Sequence, residues 1–267
     1  MKTYNEEQFE IFRSGGKILA QTFEVLEKMV KPGTSTLDLD KAAEEFIRSQ
    51  DATPSFKGYK GFEYSICTSV NDCIIHGYPR ADVILKEGDI ISIDVGVRYK
   101  GLCTDAARTF PVGKISNAAK ELITITENCF WEAFEHLREG IKPKEIGAII
   151  ERYIQKNPKY EIVKGQETYE IIDNFFGHGI GEDLHQDPLI PNYKPRKKVL
   201  IQLTNKPIPA GCVICIEPMI TQGSNKNRVA GDKWSVFTVD GKLSAHYENT
   251  VIIHEDGAEV ITMLESF

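Results

Sequence analysis

The sequence predicts an α+β fold made of two related halves, because the same series of elements occurs twice. Each half contains a helix, a Lys-Pro pair, a second helix, a His-Gly pair and a Gly-led apolar strand that ends in an acid. The His-Gly pairs lie in "IIHGYP" (74–79) and "FGHGIG" (176–181), and the two strands end in Asp94 and Glu217. Each shared piece is short, but the shared order favours two halves related by an approximate two-fold axis.

The first half begins with a predicted helix near 6–30, followed by "KPGTS". A second helix is predicted near 37–49 ("LDLDKAAEEFIRS"), with Ser35 or Thr36 as the N-cap residue. The strand "GDIISID" then carries the acid of this half.

The second half repeats this order. A helix is predicted near 117–139, capped by Ser116 and ended by Gly140, and another near 144–156. We expect a single catalytic domain over 1–267, with internal halves of about 1–112 and 113–267.

Composition excludes several classes of protein. The chain has 41% hydrophobic and 27% charged residues, which is ordinary for a globular protein. Its formal net charge of −7 argues against a general nucleic-acid binder, and the basic cluster "KPRKK" (194–198) is interpreted as a solvated loop. No apolar run approaches the roughly 20 residues that cross a bilayer, and the start has no signal-peptide pattern, so a cytoplasmic protein is expected.

The six cysteines are expected to be buried, reduced thiols, because the chain is too long for a disulfide scaffold. Cys212 and Cys215 form a C-x-x-C within a predicted strand. Residues three apart on a strand face opposite sides, so these two are not expected to share a metal.

The strand "DIISIDVGV" buries an acid. Ile91, Ile93 and Val95 form its apolar face, and Asp94 points to the other. A hairpin centred between Tyr99 and Lys100 would place Asp94 opposite Asp105, which requires a cation between them. A turn different by one residue would instead leave Asp105 in solvent, and the hairpin alone does not decide between the two.

The second half favours the buried pair. Glu217 repeats the mid-strand position of Asp94, and Glu248 lies on another strand-like run. Four carboxylates would then meet near the two-fold axis, with an imidazole from "GHGIG". Such ligands suit a pair of divalent ions such as Mn²⁺, Fe²⁺, Co²⁺ or Zn²⁺, which support metal-assisted hydrolysis.

The ordered motifs "VNDCIIHGYP", "GDIISIDVG", "TDAARTF", "FGHGIG", "LHQDP", "IEPM" and "YENT" resemble those of type I methionine aminopeptidases. The resemblance covers nearly the whole chain. It implies the pita-bread fold, with two halves around an antiparallel sheet and helices outside. The implied activity is removal of the initiator methionine from nascent proteins and peptides when the second residue is small.

The resemblance also implies roles for individual residues. Five would bind the two metal ions, with Asp105 and Glu248 bridging them: Asp94, Asp105, His178, Glu217 and Glu248. Glu217 would also shuttle a proton, and His76 and His185 would contact the scissile peptide. Six residues would form the methionine side-chain pocket: Phe56, Tyr59, Phe62, Cys67, Leu184 and Trp234.

Some positions depart from the family pattern. Gln186 stands where an acid is usual and Asn249 where His is common, which puts the tuning of the metals in question. The segments 164–173 and 194–207 are longer than is typical. No functional role is expected for His136, His246 or His254.

Two alternatives remain at this point. A proline-specific peptidase of the same fold usually carries an extra N-terminal domain, for which no room is expected before the first helix. A non-catalytic binding module of this fold would lack metal ligands, whereas all five are present here. The expected partners are methionyl peptides and nascent chains, with any ribosome contact made by the catalytic domain, and a monomer with neither membrane nor specific nucleic-acid binding is expected.

Overall fold

The computed structural model describes residues 1–156 and 169–264. Within these ranges the α-helices are α1 (Glu6–Met29), α2 (Thr36–Ser49), α3 (Asn117–Phe134), α4 (Pro143–Lys156) and α5 (Lys198–Leu203). The strands before α3 are β1 (Thr53–Pro54), β2 (Ile66–Val70), β3 (Cys73–Ile75), β4 (Ile90–Tyr99) and β5 (Leu102–Pro111). Those after α4 are β6 (Glu170–Ile171), β7 (Phe176–Gly179), β8 (Gln186–Pro191), β9 (Val213–Ile216), β10 (Met219–Thr221), β11 (Asn227–Val229), β12 (Val236–Thr238), β13 (Ser244–His246), β14 (Asn249–Ile253) and β15 (Ala258–Val260).

Local capping chemistry fixes the starts of the first two helices. The Asn5 side chain accepts a hydrogen bond from Gln8 N, and the Gln8 side chain accepts one from Asn5 N, so α1 begins with a capping box. Ser35 caps α2 by accepting from Asp38 N, as the sequence predicts.

The first half of the chain packs α1 and α2 against a sheet in which β4 pairs with β1, β2 and β5. Ile91, Ile93 and Val95 are fully buried beneath these helices, as their alternation along β4 predicts. Asp94 therefore lies on the opposite face of the strand, away from the helices.

The second half packs α3 and α4 against a five-stranded antiparallel sheet with the order β15-β14-β9-β7-β8. Two smaller sheets, β13-β10-β6 and β11-β12-β3, complete the described strands. Cys212 contributes to the core under α3 and α4, whereas Cys215 lies in a different core cluster, consistent with opposite faces. All six cysteines are free and buried, as predicted.

The two halves meet along a seam, formed by residues 105–109 of β5 and residues 246–250. At its centre Glu248 N donates to Ala107 O at 3.0 Å, and Ala107 N donates to Glu248 O at 3.3 Å. At one end Thr250 Oγ1 accepts from Asp105 N and donates to Asp105 O. At the other end Thr109 Oγ1 bonds to both the nitrogen and the oxygen of the His246 backbone.

The prediction that α3 continues to 139 is wrong, because the helix ends at Phe134. The backbone beyond it first tightens, with His136 N donating to Ala133 O, and then bonds to other segments. Glu139 N donates to His254 O and Gly140 N donates to Ile208 O. Carbonyl groups of other segments therefore replace the acceptors that a continued helix would provide.

The long segments noted in the sequence are placed only in part. Residues 164–168 lie outside the described residues, and 170–171 form the short strand β6. Residues 194–207 include the exposed helix α5, on which Val199 and Leu203 face outward. No described helix combines the length and the apolar character needed to cross a membrane.

Candidate active site at the junction of the two halves

A cleft of about 560 Å³ opens where the two halves meet. All thirteen residues that the sequence predicts for the site line it: Phe56, Tyr59, Phe62, Cys67, His76, Asp94, Asp105, His178, Leu184, His185, Glu217, Trp234 and Glu248. The folded chain therefore brings all thirteen residues together in one place.

The hairpin that carries the first two acids has a different register from the predicted one. Its turn is Lys100-Gly101, with φ values of 45° and 88°, which suits a two-residue hairpin loop. Asp105 therefore pairs with Gly96 rather than with Asp94, and Asp94 pairs with Ala107. The centre of the turn lies one residue further along the chain than predicted, so each residue of β4 pairs with a partner two positions later in β5. A shift of two keeps both acids on their common face, and Asp105 is buried.

Glu217 and Glu248 lie at breaks between strands, whereas Glu217 was predicted in mid-strand and Glu248 on a strand-like run. Glu217 follows β9, which belongs to the five-stranded sheet, and precedes β10, which belongs to a three-stranded sheet. Glu248 separates β13 from β14, which belong to the same two sheets. Each acid therefore points into the cleft from a position where the chain passes from one sheet to another.

The glycines around His178 serve strand packing. A Cβ atom at Gly177 would lie 2.3 Å from Cys215 O, and one at Gly179 would lie 2.2 Å from Asp187 O. Glycine at these two positions therefore lets the neighbouring strand backbones approach closely. His178 Nδ1 lies 3.0 Å from Gly179 O, so a proton on Nδ1 leaves Nε2 free to bind a metal.

The cluster of acids is unfavourable without cations. Burial raises the pKa of Asp94 to about 6. Burial, and then the neighbouring carboxylates, raise the pKa values of Asp105, Glu217 and Glu248 well above their usual range. Asp94 Oδ1, Asp105 Oδ1 and Glu248 Oε1 are buried and have no hydrogen-bond partner among the described residues.

The geometry fits divalent metal ions. One oxygen each from Asp94, Asp105 and Glu248 lie within 4.8 Å of one another, and so do one ligand atom each from His178, Cys215 and Glu248. The two groups share Glu248, as expected for a residue that bridges two ions. His178 Nε2 also lies 4.0 Å from Glu217 Oε1, which places Glu217 beside the second group.

Cys215 was not predicted at the site. Its Sγ lies 3.5 Å from Thr250 Oγ1, and burial together with the nearby Glu248 and Asp105 raises the pKa of its thiol. Glu217, whose Oε1 lies 4.0 Å from His178 Nε2, is the alternative ligand for this position.

His246 was expected to have no functional role, but it lies within the acid cluster. It is buried, and its Nε2 is 3.6 Å from Glu217 Oε2 and 3.9 Å from Glu248 Oε2. It lies two residues before Glu248 and pairs with Met219, which is two residues after Glu217. His246 is thus close to Glu248 along the chain and close to Glu217 across the strand pair. The second relation can be recognised only when the strand pairing is known.

The two histidines predicted to contact substrate both line the cleft. His76 follows β3 with a φ of 56°, and its ring centroid is 6.4 Å from that of Trp234. His185 Nδ1 lies 2.8 Å from the Tyr59 hydroxyl. Burial lowers the pKa of His76 to about 4, and that of His185 falls to about 4 through desolvation and the nearby Lys60, so both are neutral at pH 7.

An apolar wall adjoins the acids. Phe56, Phe62, Cys67 and Leu184 are buried in one core cluster, with the partly buried Tyr59 and Trp234 against it. The Phe62 and Trp234 rings meet edge to face at 5.0 Å. Aromatic edges, a thiol and an aliphatic side chain suit a polarizable thioether.

Of the two departures from the family pattern, Gln186 lines the cleft and Asn249 does not. Gln186 Nε2 donates to Ile180 O and to the Tyr4 hydroxyl. Asn249 Oδ1 accepts from Thr262 Oγ1 and from the Arg108 guanidinium. Both side chains therefore bind to the protein itself.

Comparisons with known proteins agree with this site. Residues 10–255 match the model of metallopeptidase family M24. The chain is 43% identical to a methionine aminopeptidase of Clostridium perfringens over 98% of both chains. It is 42% identical to methionine aminopeptidase 1 of Bacillus subtilis, over 94% of this chain and 95% of that protein.

Solved structures give the same result and confirm the predicted pita-bread fold. The methionine aminopeptidase of Thermotoga maritima superposes with a TM-score of 0.90 at 32% identity, covering 99% of this chain and all of that one. An Xaa-Pro dipeptidase of Bacillus anthracis shares the fold at 22% identity and a TM-score of 0.75, but this chain covers only 63% of it. The chain belongs to metallopeptidase family M24 and, within that family, to the methionine aminopeptidases.

Proposed function

We propose that this protein removes the N-terminal methionine from peptides and nascent chains whose second residue is small, using two divalent metal ions. The observation that carries the proposal is the pair of ligand groups that share Glu248 on the floor of an apolar-walled cleft. The two groups would hold two ions, and the wall would hold one thioether side chain. A single catalytic domain over 1–267 would be sufficient for this reaction.

The ligand set would be Asp94, Asp105, His178, Glu217 and Glu248, with Asp105 and Glu248 shared between the ions. Mn²⁺, Fe²⁺, Co²⁺ and Zn²⁺ all accept such carboxylate and imidazole ligands. Bound ions would lower the pKa of a water molecule towards about 7 and polarise the scissile carbonyl group.

Glu217 would hold the proton that moves during hydrolysis. Burial and the charge of Asp94 raise the pKa of its carboxyl group, which favours the form that holds a proton. As a carboxylate, Glu217 would take a proton from the attacking water and then deliver it to the departing amine.

His185 would donate a hydrogen bond to the scissile carbonyl oxygen as negative charge develops there. Its Nδ1 lies beside the Tyr59 hydroxyl, and if Tyr59 donates, the imidazole proton resides on Nε2. A single donor of this kind is worth roughly 10²–10³ in rate. His76 would also contact the scissile peptide.

The wall formed by Phe56, Tyr59, Phe62, Cys67, Leu184 and Trp234 would hold the methionine side chain and exclude water from it. The ligands and this wall leave little space for the second residue of the substrate, so alanine, glycine and serine should be accepted there. We further propose that the protein acts as a monomer in the cytoplasm, where nascent chains emerge, and that any ribosome contact is made by the catalytic domain.

The test is turnover of Met-Ala and Met-Gly peptides with each metal added in turn to chelator-stripped protein. Met-Lys and X-Pro peptides are the matched substrates, since they test the second-residue limit and the proline-specific alternative. Cleavage of Met-Ala and Met-Gly alone supports the proposal. Cleavage of X-Pro peptides alone, or cleavage that persists in the metal-free protein, contradicts it.

A further inference from the structure

We propose that Arg108 is a positioning residue that holds the Glu248 backbone and so maintains the spacing between Asp105 and Glu248. This inference rests on the proposed function, because it takes these two acids to be the shared metal ligands. Arg108 is not part of the predicted site and does not line the cleft.

The contacts of Arg108 converge on the centre of the seam. Nη1 donates to Ala107 O at 2.8 Å and to Glu248 O. These are the two carbonyl groups of the Ala107–Glu248 backbone pair, so one guanidinium nitrogen binds both sides of the seam. Nη2 donates to Asn249 Oδ1 and to Thr262 O.

Arg108 supplies the firmer of the two bonds to Glu248 O. The other donor to that oxygen is Ala107 N, at a longer distance of 3.3 Å. Without Arg108 the carbonyl group of Glu248 would be held across the seam only by this weaker bond. The seam is short, so losing one of its bonds would let residue 248 move relative to β5.

The guanidinium is also fixed in orientation. Its central carbon lies 4.3 Å from the Tyr247 ring centroid and 5.3 Å from that of Phe23, which places the cation between two aromatic rings. A planar, forked donor held in this way can bind two carbonyl groups at once, which the single ammonium of lysine does less well.

The hydrogen bonds of the seam connect Arg108 to both predicted shared ligands, Asp105 and Glu248. Asp105 is fixed two residues before Ala107 by Thr250 Oγ1, which binds both its backbone nitrogen and its backbone oxygen. The distance between the Asp105 and Glu248 carboxylates thus depends on how closely β5 is joined to residues 248–250. Arg108 acts at that junction from behind the cleft.

The position of Asn249 follows from the same arrangement. Its side-chain oxygen accepts from both Arg108 Nη2 and Thr262 Oγ1, so it holds the second nitrogen of the guanidinium in place. Removing the Asn249 side chain keeps the Arg108 charge but removes one of the hydrogen bonds that orient it.

The experiment measures metal affinity and stability separately. Chelator-stripped Arg108→Lys and Asn249→Ala proteins are titrated with Mn²⁺ by calorimetry, and their unfolding in urea is followed without metal. Arg13→Lys is the matched control, because Arg13 also uses its fork, binding Glu259 through Nε and Nη2 at the protein surface.

Arg108→Lys should weaken Mn²⁺ binding by about 10–100-fold. Asn249→Ala should weaken it several-fold, and Arg13→Lys should leave it unchanged. Wild-type Mn²⁺ affinity in both site variants, with or without lower resistance to urea, would overturn the proposal and assign Arg108 to packing alone. If Arg108→Lys does not fold, the affinity of Asn249→Ala decides in the same way.

The results that would contradict the proposed function differ from those that would contradict the role of Arg108. Wild-type protein that binds Mn²⁺ but does not cleave methionyl peptides would contradict the peptidase proposal and leave the comparison of affinities intact. Wild-type protein that binds none of Mn²⁺, Fe²⁺, Co²⁺ and Zn²⁺ would overturn both proposals.

Discussion

Removing the metal should make the stability of this protein fall as the pH rises, and Asp94 allows the size of the effect to be worked out. The folded pKa of this carboxyl group is about 6, compared with 3.8 in the absence of burial. A folded pKa above the unfolded one means that the folded state binds the proton more tightly. The stabilisation is therefore complete below pH 4 and is lost as the pH rises through 6.

The difference between the two pKa values corresponds to about 3 kcal/mol, of which about 2 kcal/mol is lost between pH 4.5 and 7.5. Asp94→Asn removes the titrating group and keeps the shape of the side chain. Asp94 also raises the pKa values of Asp105, Glu217 and Glu248, so its removal lowers theirs. The free energy of unfolding of the stripped variant, minus that of stripped wild type, should therefore increase by about 2 kcal/mol or more over this pH interval.

Urea unfolding followed by circular dichroism in the presence of a chelator measures this difference. Asp82→Asn is the control, because exposed Asp82 pairs with Arg80 and its pKa is lowered. Its stabilisation is complete above about pH 4, so the control difference should stay nearly constant from pH 4.5 to 7.5. A difference for Asp94→Asn that stays constant or shrinks as the pH rises would refute the reasoning. Restoring metal at pH 7.5 should make wild type more stable than Asp94→Asn, because the ions bind the deprotonated carboxylate and stabilise wild type more than the variant.

Four further predictions concern the site. Asp105→Asn should lower metal stoichiometry and nearly abolish peptidase activity, as measured by metal analysis and Met-Ala turnover. His178→Ala should lose a metal ion, whereas His185→Ala should keep both and lose roughly 10²–10³ in kcat. His246→Ala should weaken metal binding about tenfold, since it removes the imidazole that contacts two predicted ligands. Met1 should stay on the protein because a lysine follows it, and the intact mass of the native protein reports this.

Each of these has an outcome that contradicts it. Full metal content and activity in Asp105→Asn would remove that residue from the site. A metal-deficient His185→Ala beside a loaded His178→Ala would reverse the two assignments. Unchanged metal affinity in His246→Ala would assign the ring to packing alone, and a main species without Met1 would argue against the limit on the second residue.

Local chemistry explains what the sequence predicted well. The starts of α1 and α2 depend on side chains within three residues of the cap, and the buried face of β4 follows from simple alternation. The predicted site residues occur in short motifs whose order is itself specific. That is why all thirteen could be assigned to one cleft before the geometry was known.

What the sequence did not predict depends on long-range pairing. The hairpin register requires a positive φ at Lys100, a residue that rarely adopts it, so "YKG" gave no clear turn signal. The breaks at Glu217 and Glu248 depend on which sheet each flanking strand joins. His246 lies beside the acids because β13 pairs with β10, and Arg108 contacts the Glu248 backbone because β5 meets residues 246–250, more than a hundred positions away.

The same hairpin limits where this chain can accept additional residues. Lys100 and Gly101 are exposed, and a Cβ atom at Gly101 would meet nothing within 4 Å. By these two criteria the turn would be a suitable place to insert a peptide tag. Yet one inserted residue drawn into β5 would exchange the two faces of the strand beyond it and turn Asp105 away from Glu248. The length of this outward turn is therefore as constrained as any buried position. Tags and insertions are better placed in segments that no sheet register depends on.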